Sequence, residues 1–368
     1  MEQITDVLVI GGGPGGLAAA IAAVQKGFKV TVADGAKPPV DKVCGEGLMP
    51  NTLATLRELG VALSCQDGRP FAGMRFVDSY SSVEASFPLV GGLGIRRTVL
   101  HQKMVERALD CGVTLLWNSP VSGLTKAGAT VGGADIRAEW IVGADGIHSR
   151  VRRWSGLRQS SAREFRYAQR RHYRVQPWTD HVEVHWGHEI QAYVTPLRDD
   201  ETCVVLISRD PRMRLDPALR EFPKLASRLS GAELSNVDRG AVTAMCRLDR
   251  VHKSNVALTG DASGTVDAIT GEGLCLSFLQ ARALAEALAA GDLERYQQAH
   301  RRLAWRPNVM GRFLLLLDRC PGVRKRTLRA LANEPALFAR LLAIHVGETS
   351  AMHSVATSLR VGWQFLAA

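Results

Sequence analysis

The apolar positions along the chain fall into three patterns, and each predicts a different element. Residues 6–10, Asp-Val-Leu-Val-Ile, form a short, nearly continuous apolar run, the mark of a strand buried on both faces. An Ala-rich stretch at 17–26 predicts a helix that stops at Gly27, and 28–33 predicts a second buried strand ending in Asp34. The run-then-turn pattern returns at 140–146 and 256–262, and a long helix is predicted over 274–290. Between these, 163–208 alternates as strands do, with Val182, Val184 and Trp186 on one face and Glu183 and His185 on the other. Tyr193 to Pro196, a turn at Asp199-Asp200 and the run 203–207 extend that sheet, joined by short strands near 72–78 and 82–88. From about 296 onward the chain reads as helical.

Composition narrows the class. The chain has 368 residues, enough for two interleaved lobes, with 46% hydrophobic and 22% charged residues, the balance of an ordinary soluble enzyme. No stretch approaches the roughly 20 apolar residues needed to span a bilayer, and the N-terminus lacks a signal peptide's basic and apolar regions. The seven cysteines are scattered and never form Cys-x-x-Cys, so reduced thiols in a cytoplasm are expected, with no disulfide framework and no metal site. The net charge of +10 is concentrated late, from Arg301 to Arg329, among Phe313, Leu316 and Leu317 at helical spacing. Two readings stay open, a solvated helix face and peripheral contact with a lipid surface. Nucleic acid is not an expected partner, because no recognition motif accompanies the charge.

Residues 11–16 read Gly-Gly-Gly-Pro-Gly-Gly, which puts Gly-x-Gly-x-x-Gly at Gly11, Gly13 and Gly16, between the first strand and the helix. Gly11 permits the tight turn, Gly13 lets a pyrophosphate approach the backbone, and Gly16 lets helix pack closely on strand. The helix N-terminus, entered through Pro14 and Gly15, offers free N–H groups and a partial positive charge to phosphate. Asp34 ends the second strand, where a carboxylate accepts ribose hydroxyls and disfavours a 2′-phosphate. Strand, turn, helix, strand and acid together predict a Rossmann-like site for FAD or NAD.

Two later motifs decide for FAD. Residues 140–150 carry an apolar strand into Asp145-Gly146 and on to Arg150, and 256–262 carry another into Gly260-Asp261. Thr270-Gly271-Glu272-Gly273 then opens a helix whose N-terminus can face the anionic edge of a reduced flavin. In order and spacing these motifs resemble the para-hydroxybenzoate hydroxylase superfamily, which includes aromatic hydroxylases, flavin-dependent halogenases and geranylgeranyl reductases. The resemblance covers nearly all of residues 1–300. It implies an α/β (α+β) chain with a glutathione-reductase-type FAD-binding domain at 1–70, 95–157 and 245–300. An interleaved antiparallel substrate domain would occupy 71–94 and 158–244, with a helical region at 301–368 that resembles nothing named. It also implies that Asp34 holds the adenosine ribose and that Arg97 opens a helix beside the ribityl-pyrophosphate arm. Val121 would meet adenine, Asp145 and Arg150 would form a second phosphate-side motif, and Gly260-Asp261 would contact ribityl or pyrophosphate oxygens. Gly271, Gly273 and Leu274 would line the isoalloxazine.

The segment Lys42-Val43-Cys44-Gly45-Glu46-Gly47-Leu48-Met49-Pro50 resembles the Cys-Gly-Glu-Gly loop of the geranylgeranyl reductase branch. Cys44 is then a proton donor or redox thiol, or else Cys44 and Glu46 only shape the loop. Where the halogenases carry Trp-x-Trp-x-Ile-Pro, this chain reads Gln191-Ala192-Tyr193-Val194-Thr195-Pro196, which argues against halogenation. The reductases' Tyr-x-Trp-x-Phe-Pro is also absent there. Tyr193 and Thr195 offer hydroxyls to a substrate, or serve an ordinary half-buried strand. Arg166, Arg170, Arg171, His172 and Arg174 either steer an anionic or phenolate substrate or form a solvated face. His101, His185 and His188 lack metal-ligand spacing.

The leading expectation is an NAD(P)H-dependent monooxygenase that hydroxylates a hydrophobic aromatic or polyketide-type substrate with O₂ through a flavin C4a-hydroperoxide. NAD(P)H would dock transiently, because no second dinucleotide fold is visible. The alternative is a reductase of isoprenoid C=C bonds, favoured by Cys44-Gly45-Glu46-Gly47 and the apolar, basic tail. A minor third reading is a non-catalytic flavin-binding redox sensor.

Overall fold

The apolar run at 6–10 lies in the strand Gln3–Ile10, whose Val7, Leu8 and Val9 are wholly buried; this strand has neighbours on both edges, and helix Pro14–Val24 packs against it. The computed structural model describes residues 3–79, 81–158 and 165–347. Around Gln3–Ile10 run the parallel strands Val30–Ala33, Thr114–Leu116, Ala134–Gly143 and Val256–Leu258, with His252–Lys253 antiparallel at one end. Val121–Leu124 and Gly128–Val131 complete this eight-stranded sheet by folding antiparallel onto Ala134–Gly143. Helix Pro14–Val24 packs between the sheet and helix Gly273–Ala289, its alanines and Gly16 permitting close approach.

A second eight-stranded sheet contains Phe165–Arg174, His181–Trp186, Ile190–Arg198 and Glu201–Ser208. Gly73–Val77 and Ser82–Ser86 join it as expected, but the sheet is not purely antiparallel, since Gly73–Val77 runs parallel to His181–Trp186. A strand reached from so early in the chain arrives by a crossover, not a hairpin, and that permits the parallel pairing.

Both faces of this sheet are covered, which the alternation pattern does not reveal. Val182, Val184 and Trp186 pack against Leu314, Leu317, Leu328, Leu331 and Phe338 of the C-terminal helices. Glu183 and His185, on the other face, are buried as well; Phe222 lies against the His185 ring, beside the helices Leu215–Leu219 and Pro223–Leu229. Glu183 is kept ionised there, below its ordinary value: burial opposes this, but His185, Trp178 and Arg75 outweigh it. The tail is helical over Leu293–Arg319, Pro321–Asn333 and Pro335–His345, and residues 348–368 lie outside the described part. None of the seven cysteines is in a disulfide. No described helix is long and apolar enough to cross a membrane.

His300, on the first tail helix, carries a pH-dependent share of stability. It is buried against Tyr296 with Nε2 2.9 Å from Ser263 Oγ, and burial, aided by Arg301, lowers its pKa from 6.5 to about 4. Its neutral form therefore favours the fold fully above pH 6.5, and the contribution is lost as pH falls toward about 4. Urea midpoints measured across that window should drop less steeply for His300→Gln than for the parent. Parallel slopes would remove His300 from the acid response.

Candidate flavin and substrate site

Three glycine-bearing turns meet at one end of the parallel sheet. Gly11 has φ +111°, and a Cβ there would lie 2.5 Å from the Ala144 carbonyl oxygen, beside Asp145. A Cβ on Gly16 would lie 1.8 Å from the Gly11 carbonyl oxygen, which is the close helix–strand approach the motif predicts. Cβ atoms on Gly15 or Gly260 would each lie 3.6 Å from Ser277 Cβ on helix Gly273–Ala289. The first glycine loop, the Gly260 turn and the last core helix are therefore neighbours.

Gly13 differs from the rest, since a Cβ there would meet nothing within 4 Å. It precedes a helix with no side-chain cap and no acid in its first turn, so its first N–H groups face open space. Helix Gly273–Ala289 starts in the same way, with no side-chain cap and with Gly271 and Gly273 exposed and Leu274 half-buried. Arg97, the first residue of helix Arg97–Asp110, is buried, and its Nε has no hydrogen-bond partner among the described residues. Two uncapped helix starts and a buried guanidinium with an unmet donor fit an anionic dinucleotide.

The remaining cofactor candidates take these positions. Asp34 accepts from Gly12 N–H at 2.6 Å and from Ala36 N–H at 2.7 Å, so its carboxylate also ties the second strand to the glycine loop. Asp145 accepts from the Ser149 hydroxyl, from Arg150 N–H at 2.6 Å and from Val151 N–H at 3.1 Å, holding the start of helix Arg150–Trp154. Gly260 donates its N–H to Gln280 Oε1 at 3.0 Å, while Asp261 is exposed. Val121 opens a strand at the far edge of the sheet and is buried. His101, set aside by its spacing, bridges two loops: Nε2 lies 2.8 Å from the Gly12 carbonyl oxygen, and Val40 N–H reaches Nδ1 at 3.4 Å.

The Cys44 loop is held by a buried ionic cluster. Glu46 sits at φ +59° with its side chain inside the protein. Its Oε1 accepts from Arg97 N–H at 2.8 Å and from Arg170 at 3.1 Å, and its Oε2 lies 2.6 Å from His172 Nε2. Arg170 also forks onto Asp41 at 2.9 and 2.8 Å. Burial pushes the Cys44 thiol above its ordinary value despite the pull of Arg97, and it pushes Cys203 further up with Glu46 adding to the effect. Glu46, His172 and Cys203 bring one ligand atom each within 4.8 Å of one another. Arg170 and the Arg97 N–H already donate to that carboxylate.

Four of the five basic residues of this strand, Arg166, Arg170, Arg171 and His172, thus turn to acids of the chain, and only Arg174, beside Glu233, stays exposed. Arg166 and Arg170 are 1% exposed, and they pair with Asp267 and Glu46. Arg171 pairs with Asp216 and Asp238. Beyond Glu201–Ser208 in the same sheet, the strand Ile190–Arg198 uses one face to hold four other segments. Gln191 bridges Arg166 and Asp318, each at 2.8 Å. The Tyr193 hydroxyl donates to the Ile269 carbonyl at 2.9 Å, and the Thr195 hydroxyl donates to the Gly45 carbonyl at 2.7 Å. Both hydroxyls are engaged with backbone, and burial raises the Tyr193 pKa. From the other side His345 closes on the same loop, with Nε2 3.1 Å from the Thr270 carbonyl oxygen and Nδ1 3.6 Å from Glu272.

Comparison with known proteins agrees with this geometry. Over 327 residues the chain is 29% identical to a menaquinone reductase of Mycobacterium tuberculosis, covering 80% of this chain and 79% of the relative. It is 26% identical to a digeranylgeranylglycerophospholipid reductase of Methanosarcina acetivorans, covering 83% and 81%. A 6-methylpretetramide 4-monooxygenase of Streptomyces rimosus is 31% identical over a shorter stretch, 42% of this chain and 41% of the relative. A flavoprotein/dehydrogenase from Cytophaga hutchinsonii shares the fold, with a TM-score of 0.81, 20% identity and 93% of each chain covered. The model of the FAD binding domain family matches residues 4–299, so the chain belongs to that family and is an FAD-dependent oxidoreductase of the superfamily that includes geranylgeranyl-reductase-like enzymes and flavin hydroxylases.

Proposed function

We propose that the chain reduces a C=C bond in the isoprenoid part of a hydrophobic substrate, with NAD(P)H as the source of electrons. The observation that carries this reading is the extent of the likeness: reductases match along about four-fifths of their length, the monooxygenase along 41% of its own. The sequence alone favours hydroxylation even with the Cys44 loop counted for the reductase; the coverage of the relatives moves the balance. The monooxygenase reading stands second, supported by the higher identity of that shorter match.

FAD, when bound and reduced, would supply a hydride to one carbon of the double bond. The chain must then provide a proton for the other carbon, hold the substrate and exclude water. Cys44 is assigned the proton, since burial keeps it a thiol at neutral pH. Glu46 is assigned to position Cys44, its N–H reaching Cys44 Sγ at 3.3 Å. Tyr193 is assigned to hold the loop before Gly271, in place of the substrate contact its spacing suggests. Gly11, Gly13, Pro14, Gly15, Gly16, Asp34, Arg97, Val121, Asp145, Gly260, Asp261, Gly271, Gly273 and Leu274 are assigned to FAD. They belong to a discontinuous flavin unit of 1–70, 95–157 and 245–300, with 71–94 and 158–244 forming the substrate unit. A prenyl substrate resides in a bilayer, so the reading includes lipid contact by the basic tail.

The test is anaerobic mixing of the reduced protein with a short polyprenyl compound in D₂O. Reoxidation of the flavin with deuterium in a saturated product is expected, and Cys44→Ser should slow it. Hydroxylated product appearing only on admission of O₂, with no anaerobic reoxidation, would establish the monooxygenase instead. Asp261→Ala, at an exposed position, should leave the melting temperature of the flavin-free protein unchanged while lowering flavin content; full occupancy would end that assignment.

A further inference from the structure

We propose that the outward face of helix Leu293–Arg319 docks on an anionic lipid bilayer, a partner that deepens and in part rests on the reductase reading. At 100° per residue, Arg301, Arg302, Trp305, Val309, Arg312, Leu316 and Arg319 fall within one arc of about 100°. Its apolar members are open to solvent: Trp305 is 66% exposed, Val309 49% and Leu316 47%. The opposite face is fixed. Leu314 and Leu317 are in the core with Tyr193 and Ile269, and a Cβ on Gly311 would lie 3.3 Å from Thr270 and from Met245. The helix therefore cannot roll to bury the outer row.

Charge identifies the partner. From 301 to 333 the chain carries nine Lys and Arg residues and one acid, Asp318, which is buried on Gln191 and Arg209. Some of the cations have partners within the chain: Arg301 donates to the Asp249 carbonyl and Arg306 to that of His345, both at the surface, and Arg324 lies over the Trp186 ring. Arg302, Arg312, Arg326 and Arg329 remain exposed on the outside. An indole and two aliphatic side chains flanked by arginines match an acyl boundary below a layer of phosphates, where arginine stems lie along the apolar side chains and their heads reach the headgroups. A nucleic acid would satisfy the arginines and leave the apolar row in water. The inner side of this helix rests on the loop before Gly271, so a bilayer on the outer side lies roughly 10 Å, one helix diameter, from the segment assigned to the flavin.

The experiment is flotation of the flavin-loaded full chain with vesicles of phosphatidylcholine alone and of phosphatidylcholine mixed with phosphatidylglycerol. The expected result is recovery with the anionic vesicles only, weakened by salt. Trp305→Ser with Leu316→Ser should cut the bound fraction at least about tenfold, as should Arg302→Glu with Arg312→Glu. Flavin content and lipid-free oxidation of NAD(P)H should stay at the parent's level, showing that the variants fold. Three outcomes would overturn the proposal: no binding by the parent, unchanged binding by the Trp305/Leu316 variant, or a parent dimer that the same substitutions dissolve. Flotation requires no turnover. Bound protein that fails to reduce prenyl compounds would sink the reductase reading alone, and turnover of a short soluble substrate without flotation would sink the surface alone.

Discussion

Gly16→Ala is expected to yield no stable flavoprotein, whereas Gly13→Ala should fold normally and lose its flavin. The two glycines belong to one motif but meet different surroundings. At Gly16 the added carbon would lie 1.8 Å from the Gly11 carbonyl oxygen, backbone against backbone, where no side chain can rotate away. Relief requires moving helix Pro14–Val24 off the central strand, across a core that includes Leu17, Ile21 and Leu8 at 0% exposure, and the cost should exceed about 3 kcal/mol. At Gly13, φ −71° and ψ 174° suit any residue, and nothing lies within 4 Å of the new methyl. The methyl instead occupies space that the pyrophosphate needs, so affinity for FAD should fall at least about tenfold. Flavin absorbance per protein, together with melting of the flavin-free forms, separates the two cases. A Gly13→Ala protein that keeps full flavin, or a Gly16→Ala protein that melts like the parent, would show that the loop's glycines have been given the wrong roles.

That contrast marks how far the sequence could be read. The parallel strands and the helix between them are legible because burial on both faces leaves an uninterrupted apolar run, and because Gly11, Gly13 and Gly16 sit where a turn, an open approach and a close packing are each required. The basic strand is not legible. Arg170 and His172 look like one face of an exposed sheet, yet their partners are Asp41 and Glu46, more than a hundred residues earlier. Single-sequence patterns report which positions are polar, not whether a distant carboxylate will meet them. The available signal is a weak one: Glu46 stands between two glycines in a loop with no other reason to hold an acid. The same limit applies to Tyr193 and Thr195, whose hydroxyls suggest substrate contact and instead hold the loops at Ile269 and Gly45. The tail illustrates the converse, since its apolar spacing predicts the helices present as far as His345 but does not reveal that Leu314 and Leu317 cover a sheet while Trp305 and Leu316 face outward.

Removal of the Glu46 carboxylate should be the most damaging single change to the Cys44 loop. Glu46→Ala leaves Arg170 with Asp41 and the Lys42 carbonyl and deprives His172 Nε2 and the Arg97 N–H of their acceptor. Breaking a buried pair of this kind costs on the order of 3 kcal/mol or more. The backbone adds nothing to that loss, because glutamate and alanine carry the same left-handed strain at φ +59° and only glycine escapes it. Glu46→Gly should therefore be more stable than Glu46→Ala by about 1 kcal/mol while lacking the same carboxylate. Glu46→Gln keeps the shape and an acceptor oxygen and should be the mildest of the three in denaturant titrations. Activity then discriminates between the two readings of the loop. If the Glu46 carboxylate acts on the proton donor through its charge, which pushes the Cys44 thiol up, Glu46→Gln should slow anaerobic reoxidation by the prenyl substrate and alter its pH profile even where the protein is folded and fully loaded with flavin. If all three variants lose activity only in proportion to the folded fraction, Glu46 is a staple for the loop, and Cys44 must act without it.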